Sequence, residues 1–513
     1  MQSADRGAAA GVVAAGHPLT AHAGAQVLRE GGNAVDAAVA AMLSSFAAEP
    51  LLTGLGAGGY LMVAGGDWEP TLLDFFVEAP PRADDGSAAE LVAIDVSFGD
   101  AAQVFHIGPA SCGVYGTPAG VCEAITRWGT MSLAQLAAPA AQLAREGVAL
   151  NAEQAYVATI LEQLLVSSPE CAALWAPTGR VLREGEVMRN PELAETLERL
   201  GHEGAAPFYR GDIAAAVSDW LAARGGSVMA GALADYRSIV REPVQMSYRD
   251  RVLLTNPPPS AGGTLIAYAL GLLDQRPAPP SLGEIVGAME AAQAERTAEF
   301  VEGLAQADFL ERFLAERLGD VGGAGRSGRG GTSGHLGATT HISVLDRDGR
   351  ACSVTCTNGE GSGVVVPGTG IHVNNIMGEQ DLNPLGFHRH PAGRRMPSMM
   401  APSVVTRAGE VELVLGSAGS NRIRSALLQT IVGVVDHGLD AASAVRAPRV
   451  HFEDGVIYAE PGIDVSTLTA EGRSVVGFHE LNLFFGGVQA VQRSAGRLVG
   501  AGDPRRGGVA VAA

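Results

Sequence analysis

No lysine occurs anywhere in this chain, so its 36 basic residues are all arginine. That excludes a P-loop phosphate lysine, Schiff-base or pyridoxal chemistry, and a Ser-Lys dyad. Positive charge is scarce overall: 55 acidic residues give a formal net charge of -19. Such a surplus repels phosphate backbones, and no local basic patch offsets it, so a nucleic-acid partner is not expected. Long apolar runs are missing too. The longest nearly apolar run, Ala37 to Ala48, has 12 residues, well short of the ~20 that span a bilayer. It reads as a buried helix, and no membrane partner is expected. The opening stretch, MQSADRGAAAG, has no basic patch leading into an apolar segment, so no export signal is expected and the cytoplasm is the expected location. Cysteine is sparse: five residues, at 112, 122, 171, 352 and 356, with no C-x-x-C pair. They are expected to be reduced packing thiols rather than disulfides or a zinc site.

Glycine is abundant, at 68 of 513 residues, about twice its usual ~7% share. The chain therefore reads as globular with many tight turns, and it is long enough for one large α/β body. From Gly16 to Gly65 the pattern runs helix, glycine turn, buried helix, glycine-rich loop, strand. The middle is mostly helical, in SLAQLAAPAAQLAREGVAL, NPELAETLERL and the long stretch LGEIVGAMEAAQAERTAEFVEGLAQADFLERFLAERLG. NPPPSAGG at 256 to 263 interrupts it, because three prolines cannot lie inside a helix. Residues 318 to 337 have the Gly, Ser and Arg composition of a flexible linker. Strand patterns then resume with HISVLD, RACSVTCT, GVVVPG, GIHVNN, PSVVTR and VELVLG, followed by the helix RIRSALLQTIVGVVDHG.

GLGAGGY at 54 to 60 contains G-x-G-x-x-G, yet a dinucleotide site needs a strand before it and a helix after it. Here the order is reversed, and a close-packed glycine turn is the better reading. His388 and His390 in FHRHP have no carboxylate or cysteine completing a ligand spacing, so a solvated loop is expected and no metal. Cys352 and Cys356 share one face of a predicted strand and read as core packing.

The stretch GATTHISV, Gly337 to Val344, carries more. HISVLD and RACSVTCT flank Arg347-Asp348-Gly349, which suits a hairpin loop with glycine at the left-handed position. A register placing Asp346 opposite Arg350 carries Thr339 opposite Thr357. Two hydroxyls then face each other, although β-branching alone also favours threonine in strands.

The blocks GGNAVDAAVAA, GLGAGGYLMV, YGTPAGV with WGTMSLAQLAAPAAQLAREGV, PPPSAGG, TTHISVLDRDG, PGTGIHVNN, MPSMMAPSVV and GSAGSNRIRSALLQ, in this order, resemble the γ-glutamyltranspeptidase family of N-terminal nucleophile hydrolases across nearly the whole chain. The resemblance implies a four-layer αββα sandwich, with Thr339 at the end of a central strand. It implies self-cleavage between Ala338 and Thr339, so that a large segment, residues 1–338, and a small one, 339–513, share one core. The Thr339 hydroxyl would be the nucleophile, with its freed α-amine as base. Thr357 would hydrogen-bond it, and backbone N-H groups of Gly419 and Ser420 would hold the oxyanion, with serine in place of the family's second glycine. Substrates would be an amide plus water or an amine acceptor, with no cofactor.

The pocket residues depart from the family. Phe76 stands where an arginine grips the substrate carboxylate, and Ile376 and Glu379 stand where a pair of polar residues holds its amine. Asn358 lies near the family's asparagine; Ser398 matches the first of two serines, and Met399 replaces the second. Arg82 and Glu360 are candidate substitutes. A phenylalanine cannot imitate an arginine fork, so three expectations stand together: hydrolysis or transfer of a γ-glutamyl or related acyl group, an acylase of the cephalosporin or glutaryl type acting on a non-glutamyl amide, or an uncleaved homologue that only binds.

Overall fold

Two antiparallel sheets form the centre of the computed structural model, which describes residues 9–81, 90–97, 102–319 and 338–513. The candidate Arg82 and the linker residues 320–337 lie outside the described residues. The strands of the two sheets are β1 (Gly11–Ala15), β2 (Gly58–Gly65), β3 (Trp68–Phe75), β4 (Ile239–Arg241), β5 (Val244–Tyr248), β6 (Arg251–Thr255), β7 (Ala338–Asp346), β8 (Ala351–Gly359), β9 (Ser403–Arg407), β10 (Glu410–Ala418), β11 (Gly487–Ser494), β12 (Arg497–Ala501) and β13 (Val509–Ala512). The first sheet has the order β13-β1-β7-β8-β2-β3-β4 and the second β12-β11-β10-β9-β6-β5.

Helices cover both outer faces. On the first sheet lie α1 (Pro18–Arg29) and α2 (Ala34–Ala48), with α3 (Leu133–Glu146) packed on α2; on the second lie α4 (Ala261–Asp274) and α6 (Arg422–Val435), with α5 (Leu282–Ala294) packed on α4. The result is the expected αββα layering. The predicted buried helix is α2, and all 15 of its residues are buried. Asn33 and Asp36 close a capping box at its start. The Asp36 carboxylate also accepts bonds from Thr130 and Met131, which tie α2 to the entrance of α3.

The sheets meet through a layer of small polar side chains. Strand side chains alternate, so Thr339, His341 and Ser343 of β7 and Ser353, Thr355 and Thr357 of β8 point toward the second sheet. Ser343 Oγ donates to the Gln489 carbonyl on β11, and Ser353 Oγ donates to the Leu415 carbonyl on β10. The His341 ring bonds Thr355 and Ser343 and lies over Gly416, where a Cβ would sit 2.1 Å from the ring. Burial pushes the His341 imidazole down to about 3, so it stays neutral and acts as a polar spacer. The opposite faces of β7 and β8 carry Ile342, Val344, Cys352, Val354 and Cys356 into the apolar layer under α2. This is the packing role expected of the cysteines, and burial raises the thiol of Cys356 to about 11. All five cysteines are free thiols.

Some expectations need correction. The stretch from residue 282 is mostly helical as expected, in three pieces, α5, Ala298–Gly303 and Phe309–Gly319, and Arg296 falls in a loop between the first two. Thr297 causes the first break by capping the next helix through the Phe300 N-H. Leu318 and Gly319, read as linker, are the last two residues of the third piece. His390 is buried rather than solvated, with its ring against the Leu382 carbonyl. The GLGAGG turn is close-packed as expected: a Cβ on Gly59 would sit 2.3 Å from the Thr355 carbonyl oxygen.

Near the C-terminus, Arg505 bonds Glu460 and Asp503, and all three side chains are fully buried. Replacing Arg505 with Met leaves two buried carboxylates short of a partner. We expect a loss of about 3–5 kcal/mol, measurable as a lower urea midpoint.

Candidate active site

The hairpin register anticipated from the sequence is the one formed: Thr339 pairs with Thr357, Val344 with Cys352, and Gly349 closes the loop at φ +83°. Thr339 Oγ1 donates to Thr357 Oγ1 at 3.1 Å. Thr357 Oγ1 donates in turn to the Ala338 carbonyl at 2.5 Å and accepts from the Gly359 N-H at 3.0 Å. A hydroxyl offers one proton and two lone pairs, so Thr357 has all three in use. Ala338 stands opposite Gly359 while Thr339 stands opposite Thr357, which leaves Asn358 as the extra residue of a β-bulge. Asn358 is turned away from the hydroxyls, its Nδ2 donating to the His372 carbonyl.

Thr340 points to the other face. Its hydroxyl donates to Glu49 Oε2 at 2.8 Å, and Thr20 donates to Glu49 Oε1 at 2.7 Å. Burial raises the Glu49 carboxyl, while these two bonds and the charge of Arg506 pull it back.

β10 stops at Ala418, and α6 begins at Arg422. Gly419 and Ser420 between them lie beyond the ladder, at the positive end of a 14-residue helix dipole. Gly419 has φ +121°, and a Cβ there would sit 2.8 Å from Gly486 Cα, so glycine is needed. Ser420 has φ +49°, a left-handed conformation costing roughly 1–2 kcal/mol for an L-residue. Its hydroxyl donates to Asp381 Oδ2 at 3.2 Å, beside Asn421 Nδ2 at 2.8 Å on the same oxygen.

Two cavities lie near this loop, one lined by Ala418 and the other by Asp381. One is a cleft of about 790 Å³, counting space open to solvent, with Thr339, Thr340, Glu49, Ala418 and Arg506 at its base and Leu51, Val157, Trp175 and Leu483 in its walls. Arg506 runs over Gly487, and its Nη2 would stand 3.6 Å from a Cβ on Gly419. The other cavity, about 1220 Å³ on the same measure, contains Ser398, Met399, Asp381 and Arg296. Asp381 thus joins the wall of the second cavity to the hydroxyl of Ser420.

The remaining candidates scatter. Phe76 is fully buried, stacked on Tyr60 at 5.5 Å, and shares one apolar core with Ile376 and Met399. Neither Phe76 nor Ile376 lines these two cavities. Glu379 and Glu360 stand together with Asp381 around a small recess, where Asn375 Nδ2 donates to Glu360 Oε2. Burial, reinforced by Asp381, pushes the Glu360 carboxyl up to about 8; burial and the charges of Glu360 and Asp381 push Glu379 well up. Among the described residues, no group of three or more His, Cys, Asp or Glu side chains is placed to hold a metal. Sequence reasoning missed Glu49, Asp381, Arg296 and Arg506. Only Glu49 carried a signal, as the carboxylate that ends the apolar run at Ala48.

The family profile described as Gamma-glutamyltranspeptidase matches residues 20–513. The Acylase ACY 1 proenzyme of Pseudomonas sp. (strain V22) is 33% identical, over 98% of this chain and 93% of that protein. The Glutathione hydrolase proenzyme of Escherichia coli (strain K12) is 30% identical, over 96% of this chain and 90% of that protein. The crystal structure of cephalosporin acylase from Bacillus halodurans superposes with a TM-score of 0.83 at 26% identity, covering 98% of this chain and 96% of that one.

Folding raises the Glu360 carboxyl from 4.5 to about 8. The folded chain therefore holds more protons than the unfolded chain across that window and loses stability as pH rises through it. Melting temperatures taken from pH 5 to 8 should fall, and Glu360→Gln should flatten the fall. An equal slope in both proteins would contradict the assignment.

Proposed function

The chain belongs to the gamma-glutamyltranspeptidase family, and from that premise we propose a self-processing N-terminal threonine amidohydrolase and acyltransferase that works through an acyl-enzyme. One observation carries the reading: the hydroxyl chain from Thr339 Oγ1 through Thr357 Oγ1 to the Ala338 carbonyl.

In the uncut chain this arrangement favours an N-to-O shift. Thr357 polarises the Ala338 carbonyl while accepting the hydroxyl that attacks it. Thr339 Oγ1 bonds to the Ala338 carbonyl carbon, its proton passes to the Thr339 nitrogen, and the C-N bond breaks to leave an ester and an amine. Water then hydrolyses the ester, leaving a carboxylate on Ala338 and a free α-amine on Thr339. That amine is the base for turnover, taking the proton of Oγ1 as it attacks a substrate amide. The N-H groups of Gly419 and Ser420, at the start of α6, are the proposed oxyanion donors; in other enzymes one such donor is worth roughly 2.7–4 kcal/mol. The leaving amine departs with the proton, and water or a second amine resolves the acyl-enzyme.

The acyl group is the open part of the proposal. An apolar core of Phe76, Ile376 and Met399 stands where the family keeps charge and hydroxyl groups, and it disfavours a γ-glutamyl head carrying both a carboxylate and an ammonium. This supports an acylase-type substrate, a non-glutamyl amide, over glutathione. A cytoplasmic location is also proposed, supported by the five free cysteines.

Purified protein should run as two pieces rather than one 52.5 kDa band, and sequencing the smaller piece should begin at Thr339. Any other start defeats the nucleophile assignment. Thr339→Ala should stay whole and folded. Thr357→Ala should slow both cutting and turnover at a stability cost of about 0.5–1.5 kcal/mol; unchanged kinetics would remove Thr357 from the mechanism. In a panel of amides ranked by kcat/KM, glutathione should fall behind amides whose acyl tail is neutral or singly charged.

A further inference from the structure

The hydroxyl of Thr339 points toward the second sheet, but its backbone nitrogen points along the first. Amides on a central antiparallel strand face its two neighbours in turn. On β7 the Asp346 N-H donates to the Arg350 carbonyl, toward β8, and the Arg347 N-H donates to the Ala10 carbonyl, toward β1. Counting back by twos from Arg347 puts the Thr339 nitrogen on the β1 side, away from Thr357. The β1 ladder ends where Ala15 meets Ile342, so this edge of β7 has no strand beside it at Thr339. Gly16 and His17, the residues that follow β1, line the same cleft as Thr339 and Thr340. An α-amine freed at Thr339 is therefore directed into that cleft.

Two opposite charges stand at the base of the cleft. Glu49, just past the end of α2, is buried, and its Oε2 accepts the Thr340 hydroxyl at 2.8 Å. A Cβ on Gly16 would sit 2.5 Å from the same oxygen, which places the carboxylate over the end of β1. Oε1 accepts the Thr20 hydroxyl. A carboxylate has about four lone-pair sites, so two hydroxyls leave it room for another donor. Arg506 comes from the loop before β13, its Nη2 donating to the Leu483 carbonyl at 3.5 Å, and its charge pulls the Glu49 carboxyl down. The other ionisable groups here have different roles. Burial lowers His17 to about 4 and His341 to about 3, so both rings stay neutral. Arg505 is paired with Glu460 and Asp503. Glu153 stands against Gly507, where a Cβ would lie 3.3 Å from its Oε2. The carboxylate that cutting leaves on Ala338 is the same in every variant considered below.

We propose that Glu49 positions the α-amine freed at Thr339 by accepting one of its N-H groups, and that Glu49 and Arg506 together set how readily this amine takes a proton. The carboxylate favours the ammonium form and the guanidinium favours the free amine. A general base works best when its pKa lies near the working pH, and two opposed charges hold the amine in that range although it is buried. Both are positioning residues. The proposal rests on the self-processing reading above and adds to it the groups that govern the base.

The absence of lysine makes the amine directly observable, because the untagged cut protein has no amines except the N-termini of its two segments. Reductive methylation with isotope-labelled formaldehyde marks both for titration by NMR, and the signal missing from uncut Thr339→Ala is that of Thr339. Glu49→Gln, which keeps a side-chain oxygen for Thr20 and Thr340, should lower the titration point of Thr339 by about one pH unit. Arg506→Met should raise it by about as much, and Arg506→Lys should leave it near the wild-type value. The acid limb of kcat/KM against pH should move in the same direction as the titration point in each variant. A merely structural role would change rates without opposed shifts. Should Glu49→Gln stay uncut, Arg506→Met decides: without its upward shift the proposal fails. Two amine signals whose titration points are unchanged, or move the same way in both substitutions, overturn the proposal and leave self-processing standing. A single amine signal from the wild-type protein means that no cut occurs, and it overturns the self-processing reading together with this one.

Discussion

The antiparallel pairing of β7 with β8 is the constraint on which the rest of the site depends. It sets Thr339 opposite Thr357, and the bulge at Asn358 brings the Ala338 carbonyl under the same hydroxyl. Because side chains alternate along a strand, one choice of register sends Thr339 to the inter-sheet face and Thr340 to the helix face. Slipping by one residue would put Thr339 among the apolar side chains under α2 and leave the hydroxyl chain without its second member.

That register is held by polar contacts rather than by apolar packing alone. Ser343, Ser353 and the neutral His341 bridge the two sheets through carbonyls and hydroxyls. Buried polar groups are costly unless satisfied, so each bridge favours one alignment of the sheets and penalises others. The same layer leads along β7 to Thr339, the proposed nucleophile, and along β10 to Gly419 and Ser420, the proposed oxyanion donors.

Arginine chemistry runs through the structure in place of lysine. Arg395, Arg422, Arg449 and Arg505 are buried and make bonds to carbonyls or carboxylates that a single ammonium could not reproduce. Around the site, Arg506 stands in the cleft and Arg296 in the cavity, and Glu360 and Glu379 gather beside Asp381.

The sequence by itself determined the layers, the hairpin, the position of Thr339 opposite Thr357 and the packing roles of the cysteines. These follow from alternation, turn chemistry and the order of family blocks, all of which are local along the chain. It also marked Gly419 and Ser420 as a pair, although only the structure shows that Ser420 accepts a positive φ and ties itself to Asp381. It misread His390 as solvated and did not mark the breaks in the helical stretch after residue 282, because burial and capping depend on what packs nearby. Glu49, Asp381, Arg296 and Arg506 escaped notice for the same reason. A charged residue in a loop looks solvated until distant segments close around it, and here residues from 49 to 506 do so. Tertiary structure alone decided which charges face the two cavities, since that choice is made by contacts between segments hundreds of residues apart.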